Sequence, residues 1–109
     1  MVAVDATINQ DKTFLESLKQ KYPDQLFMAD ISTAEEGFVA DKMGFDYVGT
    51  TMVGYTEQSQ GMSNFDVLKK LINGNLKARV IGEGNFDTPE KAAQALKNGA
   101  YAVVVGGAI

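Results

Sequence analysis

The chain has no cysteine and no histidine among its 109 residues. Those absences remove thiol nucleophiles, Ser-His-Asp triads, imidazole bases and the usual zinc ligands together. Acid-base work would fall to carboxylates, lysines or tyrosines. Basic residues are also scarce: 10 Lys and Arg stand against 14 Asp and Glu, giving a net charge of −4 with no Lys/Arg cluster. A nucleic-acid or anionic-membrane surface would lack its electrostatic footprint, so neither is expected as a partner. Long apolar runs are missing as well. The longest, residues 100–105, is far too short to span a bilayer, and no charged-then-apolar leader is read before the first strand, so a cytoplasmic location is expected.

What is present suits one folded domain, expected to take in residues 1–109, with 45% hydrophobic residues to build its core. Short apolar runs at residues 2–4, 26–29, 47–49, 78–82 and 101–105 read as strands buried on both faces. Helical patterns lie between them at residues 12–21, 34–43, 65–72 and 89–97. Thr33-Ala34-Glu35-Glu36 has capping-box spacing, and Thr88-Pro89-Glu90 puts a hydroxyl before a first-turn proline. Gly44 and Gly99 stand where a left-handed residue would close a helix. The methionines and the helix alanines read as core.

Two strand-helix units repeat at an offset of 55 residues, with Thr33/Thr88, Glu35/Glu90, Ala40/Ala95, Lys42/Lys97 and Gly44/Gly99 coinciding. A regular βα period predicts a parallel α/β sheet, because each parallel crossover needs its own helix. The expected architecture is a partial TIM (β/α)8 barrel of five parallel strands and four helices. A flavodoxin-like doubly wound sheet is the alternative, and it would make the chain a non-catalytic phosphate-ligand-binding domain. A whole barrel takes about 250 residues, so the chain reads as a piece of one. Its first and last strands would each lose a neighbour, and homo-oligomer formation or other self-association is expected.

In such sheets ligands sit at the C-terminal strand ends, and here those ends carry polar residues and glycines. Glu83 interrupts an apolar strand just before Gly84-Asn85, where a charge needs a partner or a task. It is the candidate acid-base residue; its alternative is a salt bridge to Lys77 or Arg79. Asp5 and Asp30 also end strands and are candidate substrate contacts, although each would also serve as a loop cap. Gly84-Asn85 and Gly106-Gly107 form a pair of glycine turns on the last two strands, where barrels often bind phosphate with backbone N–H groups. Thr50 and Tyr55, with Thr51 and Thr56, flank a long loop that reads either as a substrate rim or as a flexible connection. No metal site is read.

Six segments together resemble one family: Val4-Asp5-Ala6-Thr7, Met28-Ala29-Asp30-Ile31-Ser32-Thr33, Gly44 to Thr51 followed by Gly54-Tyr55-Thr56, Ile81-Gly82-Glu83-Gly84-Asn85, Thr88-Pro89-Glu90 and Val104-Val105-Gly106-Gly107-Ala108-Ile109. They are similar to the N-acetylmannosamine-6-phosphate 2-epimerases, TIM-barrel enzymes of bacterial sialic-acid and amino-sugar catabolism. The resemblance runs over the whole chain and aligns it with the fourth to eighth strands of such a barrel. It implies interconversion of N-acetylmannosamine 6-phosphate and N-acetylglucosamine 6-phosphate by C2 proton transfer, with no redox cofactor. By this resemblance Glu83 assists the proton transfer, Asp5 faces the sugar, and Asn85, Gly106 and Gly107 surround the phosphate. Another phosphosugar barrel, of the ribulose-phosphate epimerase or thiamin-phosphate synthase type, is the rival within the enzyme class. The family's principal base, a lysine on the third strand, and an arginine near the phosphate would lie outside this sequence. The chain alone is therefore expected to be an incomplete, inactive piece.

Overall fold

The computed structural model describes residues 1–7, 12–84 and 86–105. Strands β1 (Val2–Asp5), β2 (Phe27–Asp30), β3 (Tyr47–Gly49), β4 (Arg79–Glu83) and β5 (Ala102–Val104) alternate with helices α1 (Lys12–Lys21), α2 (Ala34–Met43), α3 (Asn64–Asn73) and α4 (Pro89–Lys97). All neighbouring strands are parallel, and their order in the sheet is their order in the sequence, β1-β2-β3-β4-β5. That order excludes the flavodoxin-like alternative, whose first strand lies inside the sheet and reverses the direction of winding. Sequential parallel winding is the barrel pattern.

The two sheet faces confirm it. Ala29, Val48 and Val80 form one row in register, and with Phe27 they join a core that also holds Leu15 of α1, Ala40 of α2, Leu68 and Leu71 of α3, and Ala95 of α4. All four helices thus cover the same face; a doubly wound sheet would place helices on both. Side chains alternate along a strand, so Met28, Asp30, Tyr47, Gly49, Arg79, Ile81 and Glu83 point to the opposite, helix-free face.

Burial on both faces therefore holds best for the central strands. β3 is buried throughout, whereas Val2 on β1 and Val104 on β5 are exposed. Each of those strands has one neighbour in the sheet. The core reading is corrected likewise for Met1, Met62 and Ala93, which are exposed, whereas Ala40 and Ala95 are fully buried.

The local signals explain where the helices start and stop. Thr33 and Thr88 both adopt extended backbone and accept from the N–H groups of Glu36 and Lys91, three residues on. Only half of the expected box forms at Thr33, because the Glu36 carboxylate turns to the N–H and hydroxyl of Ser32. Gly44 closes α2 at φ +105°, a conformation in which a Cβ would be strained. Helix α3 starts one residue before the predicted 65, because Ser63 caps it by accepting from Asp66 N–H.

Candidate active site

Strand register places the candidate carboxylates on neighbouring steps of the helix-free face. Asp5 and Asp30 are paired in register at the ends of β1 and β2. Gly49 is the partner of Asp30, and Ile81 the partner of Gly49. Thr51 and Glu83 each lie two residues farther along, so they stand one step higher on the same face. Gly49 leaves room between the steps: a Cβ there would come within 3.1 Å of Met28 Sδ and 3.3 Å of Thr51 Oγ1.

Thr51 joins the acids. Its hydroxyl oxygen lies 2.9 Å from Asp30 Oδ1 and 2.7 Å from Glu83 Oε2. Burial pushes the Asp30 carboxyl above its ordinary value; a bond donated by Thr51 would pull it down, and the negative charges of Glu83 and Asp5 push it up. Asp5 is exposed and accepts from both the N–H (2.9 Å) and the hydroxyl (2.6 Å) of Thr7, so it does cap its own loop.

The salt bridge considered for Glu83 does not form. Arg79 sits at the other end of β4 with its guanidinium 4.6 Å from the ring centroid of Tyr101, and Lys77 and Arg79 both line a cleft with Asp41 and Asp46 at the strand beginnings. Among the described residues, no lysine or arginine is ion-paired with Asp5, Asp30 or Glu83. No group of three or more acidic residues among them is arranged to hold a metal ion.

The backbone of Glu83 is clamped from two sides. Thr50 Oγ1 accepts from Glu83 N–H at 3.0 Å and donates to Glu83 C=O at 3.0 Å. Asn64 Nδ2, at the start of α3, donates to Glu83 C=O at 2.8 Å and to Thr50 C=O at 3.0 Å. Thr50, expected to touch substrate, is instead fully buried with its hydroxyl committed to this clamp. The consecutive threonines point to opposite faces, as alternation requires, and Thr51 is the one beside the acids. Gly84 turns the chain at φ +89°, and a Cβ on it would press on Asn64 Nδ2 at 3.3 Å.

The long loop after β3 is tied down by hydrogen bonds. Ser59, fully buried, accepts from Gly54 N–H at 3.0 Å, and its hydroxyl lies 2.6 Å from that of Thr56. Thr56 donates to Ser32 Oγ, and Gln58 donates to Glu36 Oε2, both at 2.8 Å. This network ties the loop to the start of α2 and leaves Tyr55 at its tip 72% exposed. A cleft of about 410 Å³ between the starts of α3 and α4, lined in part by Asn64, Phe86 and Lys91, lies beside the clamp and does not include the acids.

Asn85, Gly106 and Gly107, three of the four expected phosphate contacts, lie outside the described residues. The sequence pattern did not reveal Asn64, and it placed Thr51 only on the loop rim, not beside the acids. Period-two alternation through Thr50-Thr51 was the available signal for Thr51; Asn64 carried none, because its partners are 14 and 19 residues away.

Comparison with known proteins gives this geometry a family. The family model described as "Putative N-acetylmannosamine-6-phosphate epimerase" matches residues 1–109. A relative with the corresponding 2-epimerase description from Borreliella afzelii (strain PKo) is 46% identical, over all of this chain and 51% of its own length. The solved N-acetylmannosamine-6-phosphate 2-epimerase of Clostridium perfringens superposes with a TM-score of 0.86 at 45% identity, over all of this chain and 50% of that one. FabK from Thermotoga maritima, at 17% identity and a TM-score of 0.75, shares the fold over 98% of this chain and 33% of its own. The chain thus spans about half the length of the curated relatives it matches, and its five strands are part of a TIM barrel. It belongs to the N-acetylmannosamine-6-phosphate epimerase family.

Proposed function

We propose that this chain supplies part of the active site of an epimerase that interconverts N-acetylmannosamine 6-phosphate and N-acetylglucosamine 6-phosphate. The C2 proton of the open-chain sugar is acidified by the adjacent carbonyl. Its removal gives an enolate that keeps the acetamido group on C2, and return of a proton to the opposite face inverts C2. No electrons are gained or lost overall, so the reaction calls for no redox cofactor, only placed proton carriers.

Glu83 is one such carrier. The observation that carries the reading is its setting: a half-buried carboxylate at the C-terminal end of β4, without a cationic partner among the described residues and with its own backbone clamped by Thr50 and Asn64. A clamped backbone limits the conformations that the reactive group samples, which is how positioned groups gain their rate advantage. Asp5 and Asp30 contact the sugar, and Tyr55 closes over it from the rim. Gly84, together with Asn85, Gly106 and Gly107, takes the phosphate through backbone N–H groups. On this reading residues 1–109 form a single unit equivalent to strands four to eight of the barrel. The protein acts in the cytoplasm on amino sugars released from sialic acid and associates through its sheet edges.

The test is to combine the chain with the complementary half of the C. perfringens relative and follow C2 deuterium incorporation into N-acetylmannosamine 6-phosphate by NMR. Incorporation accompanied by the second epimer supports the proposal. An assembled barrel that binds the phosphosugar yet leaves C2 unlabelled overturns it.

A further inference from the structure

The bridge through Thr51 sets a condition on protons. Its Oγ1 is within hydrogen-bond distance of two carboxyl oxygens, Asp30 Oδ1 at 2.9 Å and Glu83 Oε2 at 2.7 Å. A threonine hydroxyl has one proton to donate and two lone pairs with which to accept. It cannot donate to both acids. With both carboxyls ionised, one contact would set lone pair against lone pair beside a second negative charge. Both contacts become hydrogen bonds only when one acid carries a proton and gives it to Thr51 Oγ1.

We propose that Asp30, Thr51 and Glu83 share one proton in a directed chain: the Asp30 carboxyl donates to Thr51 Oγ1, and Thr51 Oγ1 donates to Glu83 Oε2. Asp30 is then a proton store for Glu83, and Thr51 is the positioning residue that connects them. When the chain shifts, the Thr51 O–H bond breaks as a Glu83 O–H forms, and the Asp30 O–H bond breaks as the Thr51 O–H is restored. The products are a protonated Glu83 and an ionised Asp30, with no net gain or loss of protons.

The surroundings favour Asp30 as the resting donor. It faces Asp5 from β1 and Glu83 from β4, with no cation paired to it among the described residues; Arg79, a strand cation on that face, is engaged by the Tyr101 ring at the opposite end of β4. Burial and those two negative charges all favour its protonated form. Glu83 Oε1 receives no hydrogen bond among the described residues, which leaves that oxygen open for exchange with a ligand. The use of the stored proton in epimerisation rests on the function proposed above. The sharing of the proton does not, and it is measurable without substrate.

The experiment is a ¹³C-carboxyl NMR titration of Asp30 in the whole chain and in Thr51→Val, Thr51→Ser and Glu83→Gln. In the wild type Asp30 should titrate above an ordinary aspartate. Thr51→Val removes the acceptor of the Asp30 proton, so the midpoint should fall; Thr51→Ser should restore it. If Thr51 instead donates to an ionised Asp30, Thr51→Val raises the midpoint, and that sign overturns the proposal, as does no change. Glu83→Gln removes a repelling charge and should lower the midpoint. Should Thr51→Val not fold, Asp30→Asn decides the matter. Its amide is a permanent donor to Thr51, so at pH values below the wild-type midpoint it should melt with the wild type, whereas a large loss of stability there shows Asp30 to be an acceptor. Proton sharing without C2 exchange in the assembled barrel would remove the proposed function while leaving the relay intact.

Discussion

The two ends of the sheet use the same kinds of side chain for different ends. At the strand beginnings the acids are spent on backbone: Asp46 Oδ2 accepts from Phe27 N–H at 2.9 Å, and Asp41 Oδ1 accepts from Ala78 N–H at 2.7 Å. The cation there is occupied too, with Arg79 over Tyr101 and Tyr101 against Tyr47 at 5.7 Å between ring centroids. At the strand ends Asp30 and Glu83 have no cationic partner among the described residues and are joined through the Thr51 hydroxyl, with Asp5 paired in register beside Asp30. Charges at one end satisfy the fold, while those at the other are held at a cost to it. That asymmetry matches the reaction site proposed at the strand ends, the face on which barrels carry their active sites.

The largest way to break the contrast is at Glu83. In the assembled barrel Glu83→Gln should lower C2 exchange by roughly two to four orders of magnitude, the range for a positioned acid-base group. Its melting temperature should stay close to that of the parent, since among the described residues the side chain bonds only to Thr51. Wild-type exchange rates in that variant would remove Glu83 from the chemistry.

Asn64→Ala tests whether the clamp belongs to the fold or to the site. Two carbonyls lose their shared donor, which should cost about 2 to 3 kcal/mol in denaturant unfolding. Because one of those carbonyls is that of Glu83, exchange should fall as well. Stability lost without any change in exchange would show that the clamp does not position the acid.

A smaller loss is expected at the stability end. Asp46→Ala strips Phe27 N–H of its partner and should cost about 1.5 kcal/mol, with C2 exchange unaltered. A comparable loss of catalysis would erase the distinction between the ends.

The smallest effect is a slope in pH. The folded-state value of Asp30 is raised, so the native chain binds more protons than the unfolded chain between the ordinary carboxyl value and the raised one. Stability from this group is complete below the unfolded value and is lost as pH rises through the folded one. Asp30→Asn should flatten that fall, which chemical unfolding at a series of pH values would show. An unchanged slope would mean that another group carries it.

Most of the elements were legible because their causes are local. Thr33 and Thr88 announce helix starts through hydroxyls that reach three residues ahead, and the 55-residue repeat carries the cap from one unit to the other. Glu83 stood out for a similar reason, as a charge closing an apolar strand. Of the two readings its position allowed, substrate contact and loop cap, Asp5 shows the cap, through the N–H and hydroxyl of Thr7.

Alternation of short apolar runs with capped helices determined a parallel α/β arrangement, because a parallel crossover requires a helix and each helix end is written in neighbouring residues. Which strands became neighbours, and therefore barrel rather than doubly wound sheet, was decided by tertiary packing: the runs look alike in sequence whether helices cover one face or two. Packing also chose between the threonines. Thr50 and Thr51 are chemically the same residue, but strand alternation turns one hydroxyl into the backbone clamp and the other toward two acids that are 21 and 32 residues distant. Hydrogen bonds across such distances leave no periodic trace in a sequence, since they depend on the register of strands that meet only when the sheet closes.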